Sequence, residues 1–356
     1  MKSPIFTQIT SLIAITLLAA FGAHARTWTS TDGKSTFEGE LVAYNTDTGE
    51  VTVDREGERI TIKQQTLAEK DIAFLKNAAP ALRTGLAQEG KWELVWSDEF
   101  DTKGMPDKSK WDYEVGFVRN QEKQYYTRER EENVRVEGGL LVIEGRKETF
   151  KNPRAKPNSK NWMEQEAAQY TSGSIHTFGK MEFQYGRFEV RAKVPQGKGM
   201  WPAIWMKGTN RSLGWPRCGE IDIMEYVGKD QDTIHANNHF ADPKNKEKAI
   251  HKMGGGGKIN IKEPYKEFHI YAMEWTEKEI KFFVNDKQYA VFNIDMAGEG
   301  PDNPFRKPHF LLLNLAIGGS WGGPVDDALF PRKYEIDYVR YYKAKTGQGQ
   351  NAGGGK

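Results

Sequence analysis

The sequence has a single cysteine, no excess of either charge and, beyond its N-terminus, no long apolar run. Cys218 stands alone among 356 residues, so the chain forms no internal disulfide and its core has to be stable without one. Lysine and arginine total 51, against 49 aspartates and glutamates. This balance gives no support for binding to nucleic acid or to a membrane surface. The lack of a later apolar run predicts no membrane-spanning helix.

The N-terminus has the features of a secretory signal peptide. Lys2 precedes an apolar run over residues 9–21, and Ala23-His24-Ala25 matches the small-residue pattern of a cleavage site. We therefore expect a signal peptide over residues 1–25 and a mature protein that is secreted or periplasmic. No cysteine follows the cleavage pattern, so we expect neither a lipid anchor nor membrane binding after the signal is removed.

Residues 26–80 predict a small β module with one helix. Residues 37–44, 50–54 and 59–63 are short strand-like runs separated by turn-forming residues. Thr66 and Glu69 have the spacing of a capping box, and apolar residues follow at helical spacing. Residues 81–90 contain two glycines and no clear period, which predicts a linker.

Strand patterns dominate from residue 91 onward. Residues 187–194 alternate apolar and charged side chains, and residues 310–317 are almost all apolar, as in a strand covered on both faces. Asn285-Asp286-Lys287 separates two strand-like runs as a hairpin turn does. These features predict an all-β domain, a sandwich or a barrel, over residues 91–345. Residues 346–356, rich in glycine, predict a disordered tail.

The stretch from Glu220 to Glu225 is a predicted strand with three carboxylates. Side chains alternate along a strand, so Glu220 and Asp222 share one face, and Glu225 would lie on the other. One extra residue, a β-bulge at Ile223-Met224, would return Glu225 to the first face. The two glutamates could then approach to about 5–6 Å, close to the spacing of ~5–5.5 Å that retaining glycoside hydrolysis requires. Asp222 between them would separate their pKa values.

Two simpler interpretations apply to this stretch. The carboxylates could form a solvated acidic strand or a row of ion pairs with no chemical role. Cys218, two residues before Glu220, could be a nucleophile, but no histidine lies near it in sequence, which favours a packed and inert thiol.

The residues around the acidic strand carry a family resemblance. Gly-Glu-Ile-Asp-Ile-Met-Glu-Tyr-Val-Gly, residues 219–228, resembles the signature of glycoside hydrolase family 16 in its bulged Glu-x-Asp-x-x-Glu form. Residues 185–195 and 199–206 resemble the laminarinase branch of that family, and the similarity extends over about residues 92–343. The resemblance implies a β-jelly-roll sandwich with a substrate cleft across its concave face, preceded here by a small β-barrel-like module.

The resemblance also implies an activity. Glu220 would be the nucleophile, Glu225 the acid/base, and Asp222 would orient and tune the pair. The expected protein is a secreted, monomeric, retaining endo-β-glucanase that hydrolyses β-1,3-glucan and needs no organic cofactor. Two alternatives remain: a family 16 enzyme acting on mixed-linkage β-glucan or on a galactan such as agarose or carrageenan, and a non-catalytic glucan-binding protein on the same fold.

Several residues are candidates for substrate binding. Asn120 lies in a run that resembles a laminarinase loop on the glycone side of the cleft. Trp201 and Trp205 share a face if extended, and Trp321 lies in a glycine-rich loop, although tryptophan in a sandwich is by default a core residue. His239 is expected to face the cleft near Glu225.

Two metal interpretations apply to the sequence. On a strand, His235 and His239 would lie about 13 Å apart, too far to share a zinc ion. The resemblance implies a structural calcium ion bound by Glu99, the carbonyl of Gly139 and Asp337, although each could equally be an ordinary residue at a strand end. Residues 26–34 resemble an endocytic-adaptor homology domain, which would make the first module a binding or tethering unit or only a spacer.

Overall fold

A computed structural model describes residues 26–45, 49–55, 58–82, 87, 91–245 and 247–345. The predicted signal peptide, most of the predicted linker and the predicted tail lie outside the described residues. The chain divides into two compact units between Ala73 and Phe74. No helix among the described residues is both long enough and apolar enough to cross a membrane.

The first unit contains a four-stranded antiparallel sheet in sequential order, within the residues described. Its strands are β1 (Arg26–Thr29), β2 (Thr36–Asn45), β3 (Glu50–Arg55) and β4 (Glu58–Lys63), and the helix α1 (Glu69–Leu82) begins in this unit and spans the boundary. The chain after β4 returns to β1, because the Thr31 amide donates to the carbonyl of Thr66 and the Ala68 amide donates to that of Thr29. This pairing partly closes the sheet, as in the predicted barrel-like module.

The predicted capping box is wrong. The Thr66 hydroxyl donates to the carbonyl of Lys63 at 2.7 Å, within a 3₁₀ turn, and α1 begins only at Glu69. Asp71 in the first turn of α1 is buried, accepts a hydrogen bond from the Thr29 amide and forms an ion pair with Arg26. A buried carboxylate at this position therefore ties the helix to β1.

The regular secondary structure of the second unit is mainly β-strand. In chain order they are β5 (Trp92–Asp98), β6 (Asp112–Tyr113), β7 (Gln124–Tyr126), β8 (Val134–Glu137), β9 (Leu140–Lys151), β10 (Ala167–Ser172), β11 (Ser174–His176), β12 (Gly186–Lys193), β13 (Met200–Gly208), β14 (Glu220–Tyr226), β15 (Thr233–Ala241), β16 (His251–Met253), β17 (Gly257–Asn260), β18 (His269–Trp275), β19 (Glu279–Val284), β20 (Lys287–Asn293), β21 (His309–Ile317) and β22 (Arg332–Ala344), with a four-residue helix α2 (Gly319–Gly322). The all-β class and the hairpin at Asn285-Asp286 are confirmed.

These strands form two large sheets. Within the described residues, one sheet has ten strands, with the path β20-β19-β18-β12-β22-β9-β10-β7 and with β5 and β8 alongside. The other has eight strands, with the path β16-β15-β14-β13-β21-β11-β6 and with β17 beside β15. The acidic strand β14 therefore lies inside its sheet, paired on both sides.

A single apolar core joins the two sheets. The predicted alternation of β12 is confirmed, because Phe188, Val190 and Ala192 all lie in this core. It also contains Leu313 of β21, whose nine residues are all buried, as expected for a strand covered on both faces. The opposite face of β12 carries ion pairs rather than open solvent, such as that of Arg187 with the fully buried Glu189.

Candidate active site

Strand β14 carries the predicted bulge. Asp222 pairs with Asn237 and Glu225 with His235, so three steps along β14 match two along β15. The register of the pairing between β14 and β13 shifts at the same place. The extra residue falls at Ile223-Met224, and both of these side chains enter the core. Since Ile221 and Tyr226 are also in the core, the three carboxylates project from the opposite face.

Two glycines fix the ends of this strand. Gly219 has φ +79°, and a Cβ there would lie 2.7 Å from Pro304 Cβ. A Cβ on Gly228 would lie 1.7 Å from the carbonyl oxygen of Gly197. A larger residue at either position would displace backbone beside the carboxylates, which explains the glycines that bound the motif.

The three carboxyl groups share a crowded and largely buried surface. His239 Nε2 lies 3.0 Å from Asp222 Oδ2 and 3.9 Å from Glu220 Oε1. Trp201 donates its indole N–H to Glu225 Oε1 at 3.0 Å. Asp222 is 3% exposed, so its charge is screened mainly by these neighbours rather than by water.

Burial raises the pKa of all three carboxyl groups, and the charge of Asp222 raises the pKa of the two glutamates further. Burial, followed by the charge of Asp222, raises the pKa of Glu220 to about 7. Burial raises the pKa of Asp222 as well. The pKa of Glu225 is raised well above its ordinary value by burial and by Asp222, against the opposing hydrogen bond from Trp201. Three such groups cannot all be ionised at neutral pH, so the site holds protons that it can donate.

His239 lies beside the other end of the acidic strand from the one predicted. It pairs with Glu220 and contacts Asp222, whereas His235 pairs with Glu225. Because β15 runs antiparallel to β14, the later histidine falls beside the earlier carboxylate. His235 and His239 thus contact different groups.

A second histidine, His251, which was not predicted from the sequence, contacts His239. His239 Nδ1 lies 2.8 Å from Nε2 of His251 on the short edge strand β16, and the two rings stack. The exposed ring of Trp215 packs on His251, with centroids 4.5 Å apart. Burial lowers the pKa of His251, which favours its neutral form as a hydrogen-bond partner.

Trp201 and Trp321 form an aromatic pair next to Glu225. Their rings meet edge to face with centroids 5.4 Å apart, and Trp321 also contacts His235. Trp321 lies on α2, and its half-buried ring belongs to a small cluster apart from the main core. The aromatic pair therefore lies on the same face as the carboxylates.

Trp205 lies on that face too, and its neighbours were not predicted. Its indole N–H donates to Asn314 Oδ1 at 2.7 Å, and Asn314 donates to the hydroxyl of Tyr126 at 3.0 Å. Asn120 donates to the buried Glu122, and its carbonyl accepts the Ser320 amide next to Trp321. Asn120 is thus held beside the aromatic pair by the backbone.

Arg119 completes this side of the site. Its guanidinium lies 4.8 Å from the centre of the Trp205 ring and pairs with Glu114. Glu114 also accepts a hydrogen bond from Ser174. These contacts join residues far apart in sequence, so no local pattern could have indicated them.

Glu220, Asp222 and His239 could also hold a metal ion. They form the one group of three acidic or imidazole side chains, in the part of the chain that the structure describes, whose ligand atoms lie within 4.8 Å of one another.

The Cys218 thiol nearby is buried, and burial raises its pKa, which matches the predicted inert cysteine.

The predicted calcium ligands lie around β22, away from β14. The carboxylate of Glu99 accepts two hydrogen bonds from Arg340, each of 2.9 Å, and Asp337 accepts one of 2.7 Å from Arg191. Two arginines therefore balance the two acids. A calcium ion here would depend on main-chain carbonyl oxygens, such as that of Gly139, together with Asp337, and it stays a prediction.

Comparison with known proteins gives consistent matches. The sequence profile of glycosyl hydrolases family 16 matches residues 122–340. A beta-glucanase of Rhodothermus marinus is 44% identical over 266 residues, which cover 71% of this chain and 85% of the relative. The X-ray structure of the laminarinase from Rhodothermus marinus has a TM-score of 0.62 at 42% identity and covers 72% of this chain and 100% of that chain.

A further solved structure comes from work on endo-acting O-glycanases that human gut bacteria express to initiate mucin breakdown. It has a TM-score of 0.68 at 38% identity and covers 74% of this chain and 94% of that chain. The profile match does not include residues 26–80, whose resemblance to an endocytic-adaptor homology domain stays a prediction. With more than half of its residues matched by the profile, and with its two-sheet architecture, the chain belongs to glycosyl hydrolase family 16 and is a glycoside hydrolase with a jelly-roll catalytic domain.

Proposed function

We propose that this protein is a secreted or periplasmic endo-β-glucanase that hydrolyses β-1,3-glucan with retention of configuration. The observation that carries the proposal is the bulge in β14, which brings Glu220, Asp222 and Glu225 to one face. The names of the relatives, a beta-glucanase and a laminarinase, support the substrate.

The raised pKa values support the proposed roles of the two glutamates. Glu220, with a pKa of about 7, loses its proton more readily than Glu225, whose pKa lies well above its ordinary range. A nucleophile has to be ionised and a general acid has to be protonated. Glu220 is therefore the nucleophile and Glu225 the acid, and the charge of Asp222 helps to keep the proton on Glu225.

The reaction then proceeds in two displacements. The Glu220 carboxylate attacks the anomeric carbon while Glu225 gives its proton to the leaving glycosidic oxygen, which breaks the bond and forms a glycosyl-enzyme. Glu225, now ionised, takes a proton from water, and the resulting hydroxide releases the sugar from Glu220. The Trp201 N–H steadies the ionised form of Glu225 between the steps.

Truncation of each glutamate tests these roles. Glu220→Ala removes the group that forms the glycosyl-enzyme, so glucans and activated aryl glycosides should both be cleaved at negligible rates. Glu225→Ala should still react with an aryl glycoside, because a good leaving group needs no proton. Azide should then restore turnover and give a β-glycosyl azide, since it attacks the intermediate without a base. A β-azide from Glu220→Ala and an α-azide from Glu225→Ala would reverse the assignment.

A galactoside is the second candidate substrate. A keratan-sulfate endo-1,4-beta-galactosidase of Sphingobacterium multivorum, 31% identical over 278 residues, favours it. Product analysis on laminarin-type glucan, mixed-linkage glucan, agarose, carrageenan and keratan sulfate would decide between the candidates. Release of oligosaccharides from a galactan alone would overturn the β-1,3-glucan proposal while keeping the two-step mechanism.

A further inference from the structure

A cavity of about 780 Å³ opens beyond the Glu220 end of the acidic strand. It is lined by the connection between β13 and β14, by the end of β15 and by the segment before β21. Neither the two-step mechanism nor the aromatic pair at the other end of β14 uses this space.

The strand register connects the cavity to the catalytic surface. Lys207, Glu220 and His239 form one row of pairs across β13, β14 and β15. Because side chains alternate along β15, the next residue on the face of His239 is Ala241, two positions beyond it. Ala241 lines the cavity, and so does Cys218, which precedes the turn at Gly219. The floor of the cavity at Ala241 therefore continues the face that carries His239 and Glu220, about 7 Å beyond His239 along β15.

The wall opposite this floor is firmly held. The Asn303 side chain donates to the carbonyls of Ile294 and Gly298 at 2.6 and 2.5 Å and accepts from the Phe305 amide at 2.9 Å. Asn303 is itself buried. The side chain of Asn303 thus makes three hydrogen bonds that fix the backbone of the segment before β21 without a ligand. The cavity is therefore largely pre-formed.

The lining suits a neutral, hydroxyl-rich ligand. It combines three acids (Asp242, Glu299 and Asp302) with two bases (Arg217 and Lys307) and with amide and hydroxyl groups. Arg217 already donates to the carbonyl of Glu247, and Asp242 pairs with Lys252. The acids in the lining would repel a sulfate or a uronic acid carboxylate, and the two bases are too few to compensate. Sugar hydroxyls, in contrast, can both donate hydrogen bonds to the acids and accept them from the bases.

We propose that this cavity, the side pocket, receives a neutral sugar branch carried by the ring that bonds to Glu220. With the glucan main chain lying across the strands over Glu220, the side pocket would lie to one side of that chain, so only a substituent that leaves the main chain sideways would enter it. The exocyclic oxygen 6 of a glucose ring reaches furthest from that chain. The inference rests on the proposed function, since it requires a β-glucan bound over Glu220, and it adds that the enzyme tolerates or prefers branched rings at that position.

The test compares two oligosaccharides of equal length, a linear β-1,3-glucan and the same chain with one glucosyl branch on oxygen 6. Gly300 lines the side pocket, and a Cβ placed there meets no atom within 4 Å. Gly300→Phe should therefore fill the pocket, with Gly300→Ala as the matched control and Ala241→Phe filling it from the other wall. The quantity measured is kcat/KM for each substrate, together with the position of the branch in the products and the melting temperature.

The wild type should cleave the branched chain and leave the branch on the reducing-end sugar of a product, because that sugar was bonded to Glu220. Each phenylalanine variant should lower kcat/KM for the branched chain by at least about tenfold relative to the linear chain, and Gly300→Ala should leave the ratio as it is. An unchanged ratio in the phenylalanine variants, or a wild type that cuts the linear chain but never at a branched ring, would overturn the side pocket alone. A wild type that cleaves neither glucan would instead overturn the proposed function.

Discussion

Glu220→Gln should make this protein more stable, and more so at alkaline than at acid pH. The pKa of Glu220 rises from its usual 4.5 to about 7 on folding, because the group is buried beside Asp222. The folded state thus holds the proton more tightly than the unfolded state. The contribution of Glu220 to stability is complete below pH 4.5 and is lost as the pH rises through 7.

The size of the effect follows from the shift. With these two pKa values, ionisation of Glu220 costs the folded state about 1 kcal/mol at pH 5 and about 3 kcal/mol at pH 8. Glutamine has a similar shape and no charge, so it avoids this cost. For a catalytic domain of this size, 1 kcal/mol corresponds to about 2 °C in Tm. The Tm advantage of Glu220→Gln over the wild type should therefore grow by about 4 °C between pH 5 and pH 8.

Calorimetric melting at both pH values measures this advantage. Glu277→Gln is the matched control, since Glu277 is exposed on the turn between β18 and β19 and its replacement should leave Tm nearly constant at both pH values. An advantage of Glu220→Gln that does not depend on pH would show that shape or packing, not ionisation, is responsible. A loss of stability at pH 8 would refute the reasoning, because it would mean that the charge of Glu220 is favourable in the folded protein.

Three further perturbations test other parts of the structure. Trp201→Phe removes the hydrogen bond that lowers the pKa of Glu225, so the basic limb of the pH profile of kcat/KM should move to higher pH; a shift to lower pH would contradict the role of Glu225 as the acid. Chelation of calcium should lower Tm and leave the rate at moderate temperature nearly constant, because an ion bound far from β14 stabilises only the native state; an immediate loss of activity without a change in Tm would point to another site. A chain that starts at Gly90 should fold and cleave soluble glucan at the rate of the full chain, and failure to fold would show that the first unit belongs to the catalytic domain.

Local patterns were sufficient for the acidic strand. The bulge could be predicted because Ile221 and Tyr226 have to enter the core while three carboxylates avoid it, and a regular strand of this length cannot satisfy both. The same alternation predicted the core face of β12, and the uninterrupted apolar run predicted the burial of β21. In each case a few adjacent residues determined the outcome.

Other features depend on contacts that the sequence does not show. Thr66 has the spacing of a helix cap, but its hydroxyl bonds to Lys63 because a 3₁₀ turn precedes α1. His239 was expected near Glu225, and the antiparallel register with β14 places it at Glu220 instead. His251 reaches the site only because β16 pairs with β15. Registers between strands follow from the whole sheet, so they could not be derived from a single motif.

The bulge serves packing and chemistry together. Ile223 and Met224 both enter the core, so β14 fills more of the space between the sheets than a regular strand of the same span. The same extra residue turns Glu225 to the face that carries Glu220 and Asp222, where burial and then the charge of Asp222 raise the pKa of both glutamates. The resulting repulsion costs stability at neutral pH, and the apolar side chains of the same strand offset it from the opposite face. One strand thus supplies both the destabilising charges that the reaction needs and part of the core that keeps them in place.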